Sequence, residues 1–106
     1  MGRSRVKIFV DDIREPPSPD WIICRNSDSA MLLIEIFEST GVNIEEISLD
    51  HDLGEEDNTR CIVNYFCEYE WWPKRVYVHT GNPVAREWLE GTIKRYAPDN
   101  TLVAGY

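Results

Sequence analysis

Short apolar runs that stop on charged or hydroxylated residues, set between stretches of helical spacing, constrain this chain more than any other feature. Arg5 to Val10 runs into Asp11-Asp12, Glu46 to Asp50 opens the set Asp50-His51-Asp52, and Arg75 to His79 is followed by Thr80. Each run is rich in β-branched and aromatic residues, which reads as a buried strand emptying into a loop. Trp21 to Arg25 and Thr101 to Val103 read as two further strands.

Between the strands the punctuation is clear. Ile13 to Asp20 carries Pro16, Pro17 and Pro19, so an ordered loop is expected there and not a helix. Asn26, Ser27 and Asp28 offer caps for a helix along Ala30, Leu33, Ile34 and Phe37, which Gly41 stops. Asp57 or Asn58 is expected to cap a second helix with Ile62, Phe66 and Tyr69 on its apolar face, ended by Trp71-Trp72-Pro73. Asn82, with Pro83 at the first helical position, opens a third helix lined by Trp88, Leu89, Thr92, Ile93 and Tyr96. The Trp71-Trp72 pair reads as packing, and Trp21 and Trp88 as core or its margin. The order is β, long loop, βαβαβαβ. Strands joined by helices imply right-handed crossovers and a parallel sheet.

The 106 residues are enough for one α/β domain, 1–106, with one core. No apolar run is long enough to span a membrane, and Gly2 to Arg5 give way at once to a strand where a leader would stand. Cys24, Cys61 and Cys67 form no C-x-x-C pair and sit in apolar surroundings, so buried reduced thiols and a cytoplasmic protein are expected. Nineteen acidic against eleven basic residues give a net charge of −8, which argues against a broad nucleic-acid surface. A small phosphorylated ligand remains compatible, because an acidic cluster can hold a divalent cation that recruits phosphate. Oligomeric state is left open.

In a parallel sheet the ends of the first, third and fourth strands meet on one edge, where open α/β sheets bind ligands. That edge gathers Asp11 and Asp12, then Asp50, His51 and Asp52, then His79 and Thr80. Carboxylates there suit Mg²⁺ or Mn²⁺, with Asp11, Asp12, Asp50 and Asp52 as candidate ligands. The chain's two histidines are candidate ligands, acids or bases. Arg14 and Arg86 are candidate phosphate clamps, since guanidinium pairs bidentately with phosphate oxygens. Asn82 is foremost a helix cap, although the helix end that it caps favours an anion.

Ile-Phe-Val-Asp-Asp, Cys-Arg-Asn-Ser-Asp-Ser-Ala-Met-Leu-Leu, Ile-Ser-Leu-Asp and Val-Tyr-Val-His-Thr together resemble a response-regulator receiver domain over most of the chain. The resemblance implies a flavodoxin-like five-stranded parallel sheet, order 2-1-3-4-5, here with the first helix replaced by the proline loop and no residues left for a last helix. It also implies Mg²⁺ held by Asp11 and Asp12, a phosphoryl group accepted by Asp50, and contact from Thr80. The receiver's Lys-Pro after the last strand is replaced by Leu-Val-Ala-Gly-Tyr, so Ala104 or Gly105 stands where the Lys would be.

Asp-Asp-Ile-Arg, Asp-His-Asp-Leu-Gly and His-Thr-Gly-Asn-Pro-Val-Ala-Arg are similar to a divergent branch, the cyclic-phosphate-processing receiver domains. That resemblance implies a metal-dependent phosphoesterase acting on 2′,3′-cyclic phosphate RNA ends or cyclic nucleotides. Asp50, His51, His79 and Thr80 would be its catalytic residues, and Arg14, Asn82 and Arg86 its substrate contacts. The alternatives are a phosphoacceptor signalling receiver and a catalytically silent domain that binds a phosphorylated nucleotide.

Overall fold

The prolines decide the first departure from regular β/α alternation: between β1 (Arg5–Val10) and β2 (Trp21–Cys24) the chain forms a loop, not a helix. The computed structural model describes residues 5–54, 56–99 and 101–105. The expectation about an amino-terminal leader and one position of the polar loop at 55 lie outside the described residues. After β2 come α1 (Ser27–Thr40), β3 (Asn43–Leu49), α2 (Arg60–Tyr69), β4 (Arg75–Val78), α3 (Pro83–Tyr96) and β5 (Leu102–Gly105). The strands are parallel in the receiver-like order β2-β1-β3-β4, and β5 is hydrogen-bonded to β4 beyond them.

All three helices pack on one face of this sheet. Ile8 and Val10, Ile47 and Leu49, and Val76 and Val78 alternate onto that face and meet Ala30, Ile34, Ile62, Phe66, Leu89 and Ile93 in one core. The other face carries no helix among the described residues. Its middle is roofed by rings: Phe9 lies edge-on to Trp21, and Trp21 edge-on to Tyr77. Below them Glu46 pairs with Lys7 and Arg75. No helix among the described residues is long and apolar enough to cross a membrane.

Several boundaries differ from expectation for identifiable reasons. β3 begins at Asn43, not Glu46, because Arg5 and Arg75 flank Glu45 and let the acidic pair lie in the strand. The extra residue is absorbed where the register shifts between Val6 and Lys7. β2, β3 and β4 each end one residue earlier than read, and β5 starts one later and runs to Gly105.

Of the two residues expected to cap α2, Asn58 does so, its Oδ1 accepting from Arg60 N–H at 2.9 Å, whereas Asp57 turns to accept from the Ser27 N–H and hydroxyl, and Thr59 makes no side-chain cap. The inner face of α2 is Ile62, Val63 and Phe66. Tyr69 is 59% exposed because Trp71 and Trp72 close on Phe66 at 5.5 Å and fill the space below it. Tyr96, at the last turn of α3, is likewise exposed, with the Arg95 guanidinium over its ring. All three cysteines are free thiols, but only Cys24 is buried; Cys61 sits on the outer side of α2 and Cys67 is half-buried.

Other signals hold as read. Asn26 Oδ1 accepts from Ser29 N–H at the start of α1, and Gly41 ends that helix at φ 76°. Asn82 Oδ1 accepts from Val84 and Ala85 N–H, with Pro83 following. Replacing Phe66 by Ala is expected to cost about 3–5 kcal/mol in urea unfolding, the usual range for emptying a buried aromatic site. Tyr69→Ala should stay within about 1 kcal/mol, as outward residues do; equal losses would restore Tyr69 to the core.

Candidate functional site

Register sets the site. Val10 pairs with Leu49, and Leu49 with Val78, so the next residue on each strand falls in one row. The ladder runs one step beyond the strands: Asp11 N–H donates to Cys24 O, Asp50 N–H to Val10 O, and His79 N–H to Leu49 O, at 3.1, 2.9 and 3.0 Å. Strands about 4.8 Å apart then place Asp11, Asp50 and His79 side by side.

Asp11 is completely buried and His79 is 1% exposed. Asp11 Oδ1 accepts from the backbone N–H groups of Ile13 and Arg14 at 3.0 and 2.9 Å, and Oδ2 lies 2.8 Å from His79 Nε2. His79 Nδ1 is 2.7 Å from Ser48 Oγ, and its ring stacks on Phe9 with centroids 4.9 Å apart and planes 6° from parallel. Burial pushes the Asp11 carboxyl up, but the two backbone donors and the His79 ring outweigh it and hold the group below the ordinary carboxylate range. Burial pushes the His79 ring below its ordinary value, with the Asp11 carboxylate opposing that shift.

One carboxylate oxygen from each of Asp11, Asp12 and Asp50 lies within 4.8 Å of the others. Asp12 has no hydrogen-bond or ion-pair partner among the described residues. Gly54, at φ 82°, brings the Asp-His-Asp-Leu-Gly loop so close that a Cβ there would stand 3.5 Å from Asp12 Oδ2. Among the described residues Asp50 Oδ1 accepts only from the N–H of His51. Burial and then the Asp11 charge raise the Asp50 carboxyl above its ordinary value. Three oxygen donors this close suit a hard divalent cation, which would also relieve their repulsion.

Asp52 and His51 do not join this group. Asp52 is exposed, with Oδ1 3.0 Å from His51 Nδ1, and it bridges to Asn58. His51 is buried on the helical side of the sheet, where its Nε2 accepts from Arg60 Nε at 2.9 Å. The Arg60 guanidinium lies over the Trp88 ring, 4.7 Å from its centroid. The two imidazoles therefore part to opposite faces, each with both ring nitrogens held by neighbours.

Thr80 is buried, and its hydroxyl oxygen accepts from Asn82 N–H at 3.2 Å, leaving its own proton to donate. Arg86 spends Nη1 on Val78 O and Nη2 on Thr80 O, bracing the β4–α3 turn. Arg14 gives Nη1 to His79 O, and its other guanidinium donors have no partner among the described residues. Asn82's oxygen is taken by the helix cap.

Ser48, Arg25 and Arg60 escaped the sequence reading. Ser48 is the one of these with a signal, a hydroxyl set between Ile47 and Leu49 in a buried strand. Arg25 reaches back to the carbonyls of Asp11 and Arg14 and holds the loop between them.

Comparison with protein families finds a match over residues 6–95 to the model described as the cyclic-phosphate processing receiver domain. Comparison with curated proteins gave no match, and comparison with solved structures gave none.

The Asp50 carboxyl predicts a stability effect in the absence of metal. A carboxyl raised in the folded state carries a penalty that is absent below its unfolded value, near 3.9, grows as pH rises, and is complete above its folded value. Asp50→Asn removes that penalty. In EDTA at pH 7 its melting temperature should exceed the parent's, and the difference should vanish towards pH 3. A lower melting temperature at pH 7 would mean that the ionised form is favoured.

Proposed function

Since the chain belongs to the family of cyclic-phosphate processing receiver domains, we propose that the rim of β1, β3 and β4 is a divalent-cation site that opens a cyclic phosphodiester on a small nucleotide or RNA end. The observation that carries this reading is the convergence of Asp11, Asp12 and Asp50 within 4.8 Å. Asp11 would hold the cation as an oriented carboxylate, and Asp12 as the partner-free one. Mg²⁺ or Mn²⁺ bound there supplies charge stabilisation at phosphorus and lowers the pKa of a water.

The chain's own residues supply position. Arg14 directs its remaining guanidinium donors to a phosphate oxygen. Thr80 donates its hydroxyl proton to another. Neither imidazole offers an unbonded ring nitrogen, so in this reading the leaving oxygen takes its proton from water, and both histidines hold neighbouring groups in place. Arg86 and Asn82 shape the turn that presents Thr80. The protein is read as cytoplasmic, with no membrane partner.

Melting the protein against MgCl₂ or MnCl₂ tests the cation. A Kd a hundred times below the added concentration stabilises by about 2.7 kcal/mol, a rise of several degrees. Asp12→Asn should abolish most of it, and an unchanged rise would remove Asp12 from the site.

Product analysis with 2′,3′-cyclic AMP and Mn²⁺ tests the chemistry. The parent should yield a phosphomonoester, and Asp12→Asn or Asp50→Asn should lose 10²-fold or more. No product with any cyclic phosphate and metal overturns the enzymatic reading in favour of a binding domain. The place of Asp50 at the end of β3 favours a phosphoacceptor receiver as the second reading. A long-lived acyl phosphate on Asp50 after incubation with a small phosphodonor would put that reading first.

A further inference from the structure

We propose that His79 is a positioning residue whose Nε2–H, steered by Ser48, fixes the orientation of the Asp11 carboxylate and so sets the affinity of the acidic group for a divalent cation. The inference rests on the reading of that group as a cation site. Ser48 and Asp11 have no exposure and His79 has 1%, so water does not compete for the bonds between them.

Asp11 Oδ1 already accepts from two backbone N–H groups, so the carboxyl is placed to accept and the hydrogen in its 2.8 Å contact belongs to His79 Nε2. With that hydrogen on Nε2, Nδ1 accepts from the Ser48 hydroxyl at 2.7 Å. One tautomer satisfies both contacts. Phe9, stacked at 4.9 Å, fixes the plane in which the ring lies.

A carboxylate offers about four lone-pair directions. Ile13 N–H and Arg14 N–H occupy Oδ1, and His79 occupies Oδ2. Three of the four directions are filled by groups that do not move independently, so the remaining one is aimed. The backbone donors belong to the proline loop, whereas His79 ties the carboxylate to the sheet itself. Outer-shell partners of this kind typically govern metal affinity by 10- to 100-fold.

The test is Mn²⁺ titration of the parent, His79→Gln, His79→Asn and Ser48→Ala, with folding of each checked by melting in EDTA. The glutamine amide reaches the place of ring Nε2 and can donate to Asp11; the shorter asparagine amide cannot. His79→Gln is expected to bind Mn²⁺ close to the parent value, and His79→Asn about 10- to 100-fold more weakly. In Ser48→Ala the ring keeps its Nε2–H on Asp11 but loses the anchor at Nδ1, so Mn²⁺ binding should weaken, and the ¹⁵N shift of Nδ1 should move towards that of a ring nitrogen that accepts no hydrogen bond.

Equal affinities in the glutamine and asparagine variants, whether retained or lost, overturn the proposal. If the asparagine variant does not fold, an unchanged Mn²⁺ affinity in Ser48→Ala overturns it. A parent that binds no Mn²⁺ removes the cation site and this inference together. A parent that binds Mn²⁺ through His79 yet opens no cyclic phosphate leaves the inference standing and removes only the enzymatic reading.

Discussion

A carboxylate with no exposure to water is the constraint around which the rim is built. Ionised groups are buried only where donors replace their hydration. Asp11 finds its donors in two places, the turn that follows it, through Ile13 and Arg14, and the end of the fourth strand, through His79, whose ring is held from behind by Ser48 of the third strand. Losing one donor would leave a buried charge under-satisfied, a cost of about 1–3 kcal/mol or more. The turn, the two strand ends and the packing of Phe9 are thus fixed by one side chain's need for hydrogen bonds. The same donors hold the Asp11 carboxyl below its ordinary range against the upward push of burial.

The proline loop explains how such a group comes to sit under side chains without a helix above it. A βαβ connection between β1 and β2 would have covered the second face of the sheet, but three prolines deny the loop a helix's backbone donors. Cover comes instead from Trp21, Tyr77 and Phe9, whose rings meet at 6.1 and 6.3 Å. Further down the same face, the ion pairs of Glu46 with Lys7 and Arg75 complete it. The result is one helical layer on one sheet, with a face of rings and charges behind it. Asp11, Ser48 and His79 belong to that face, and the core aliphatics to the other.

Sequence reading succeeds here where local chemistry decides and fails where distant packing does. The capping of α1 by Asn26, its stop at Gly41, and the Asn82-Pro83 opening of α3 are settled within a few residues, and all three hold. So does the convergence of Asp11, Asp12 and Asp50, which needs only parallel strands of known direction. The acidic Glu45-Glu46 pair looked like a strand boundary because its partners, Arg5, Lys7 and Arg75, come from two other strands. Asp57 looked like a cap because Ser27, which it binds, lies 30 residues away. Tyr69 has the right helical spacing for the core, and only the arrival of Trp71 and Trp72 beneath Phe66 turns it outward. Each failure is a contact between segments that the local pattern does not connect.

The histidines show the same limit in its sharpest form. Both follow buried apolar strands, and nothing nearby in the sequence separates them. His79 is the first residue past Val78 and falls in the row with Asp11, while His51 is the second past Leu49, and successive residues of an extended chain point to opposite sides. One position therefore sends His79 to Asp11 and Ser48, and His51 through the sheet to Arg60 on α2 and, beyond it, Trp88 on α3. The consequence for chemistry is larger than the offset. A ring that donates to a buried carboxylate can tune that carboxylate, whereas a ring held between Asp52 and Arg60 joins the loop after β3 to the start of α2. The Asp-His-Asp sequence thus splits between two tasks: Asp50 faces the acidic group, and His51 with Asp52 anchors the loop whose Gly54 lies against Asp12. By closing that loop on the partner-free carboxylate, the anchor on the helical side shapes the opposite wall of the site.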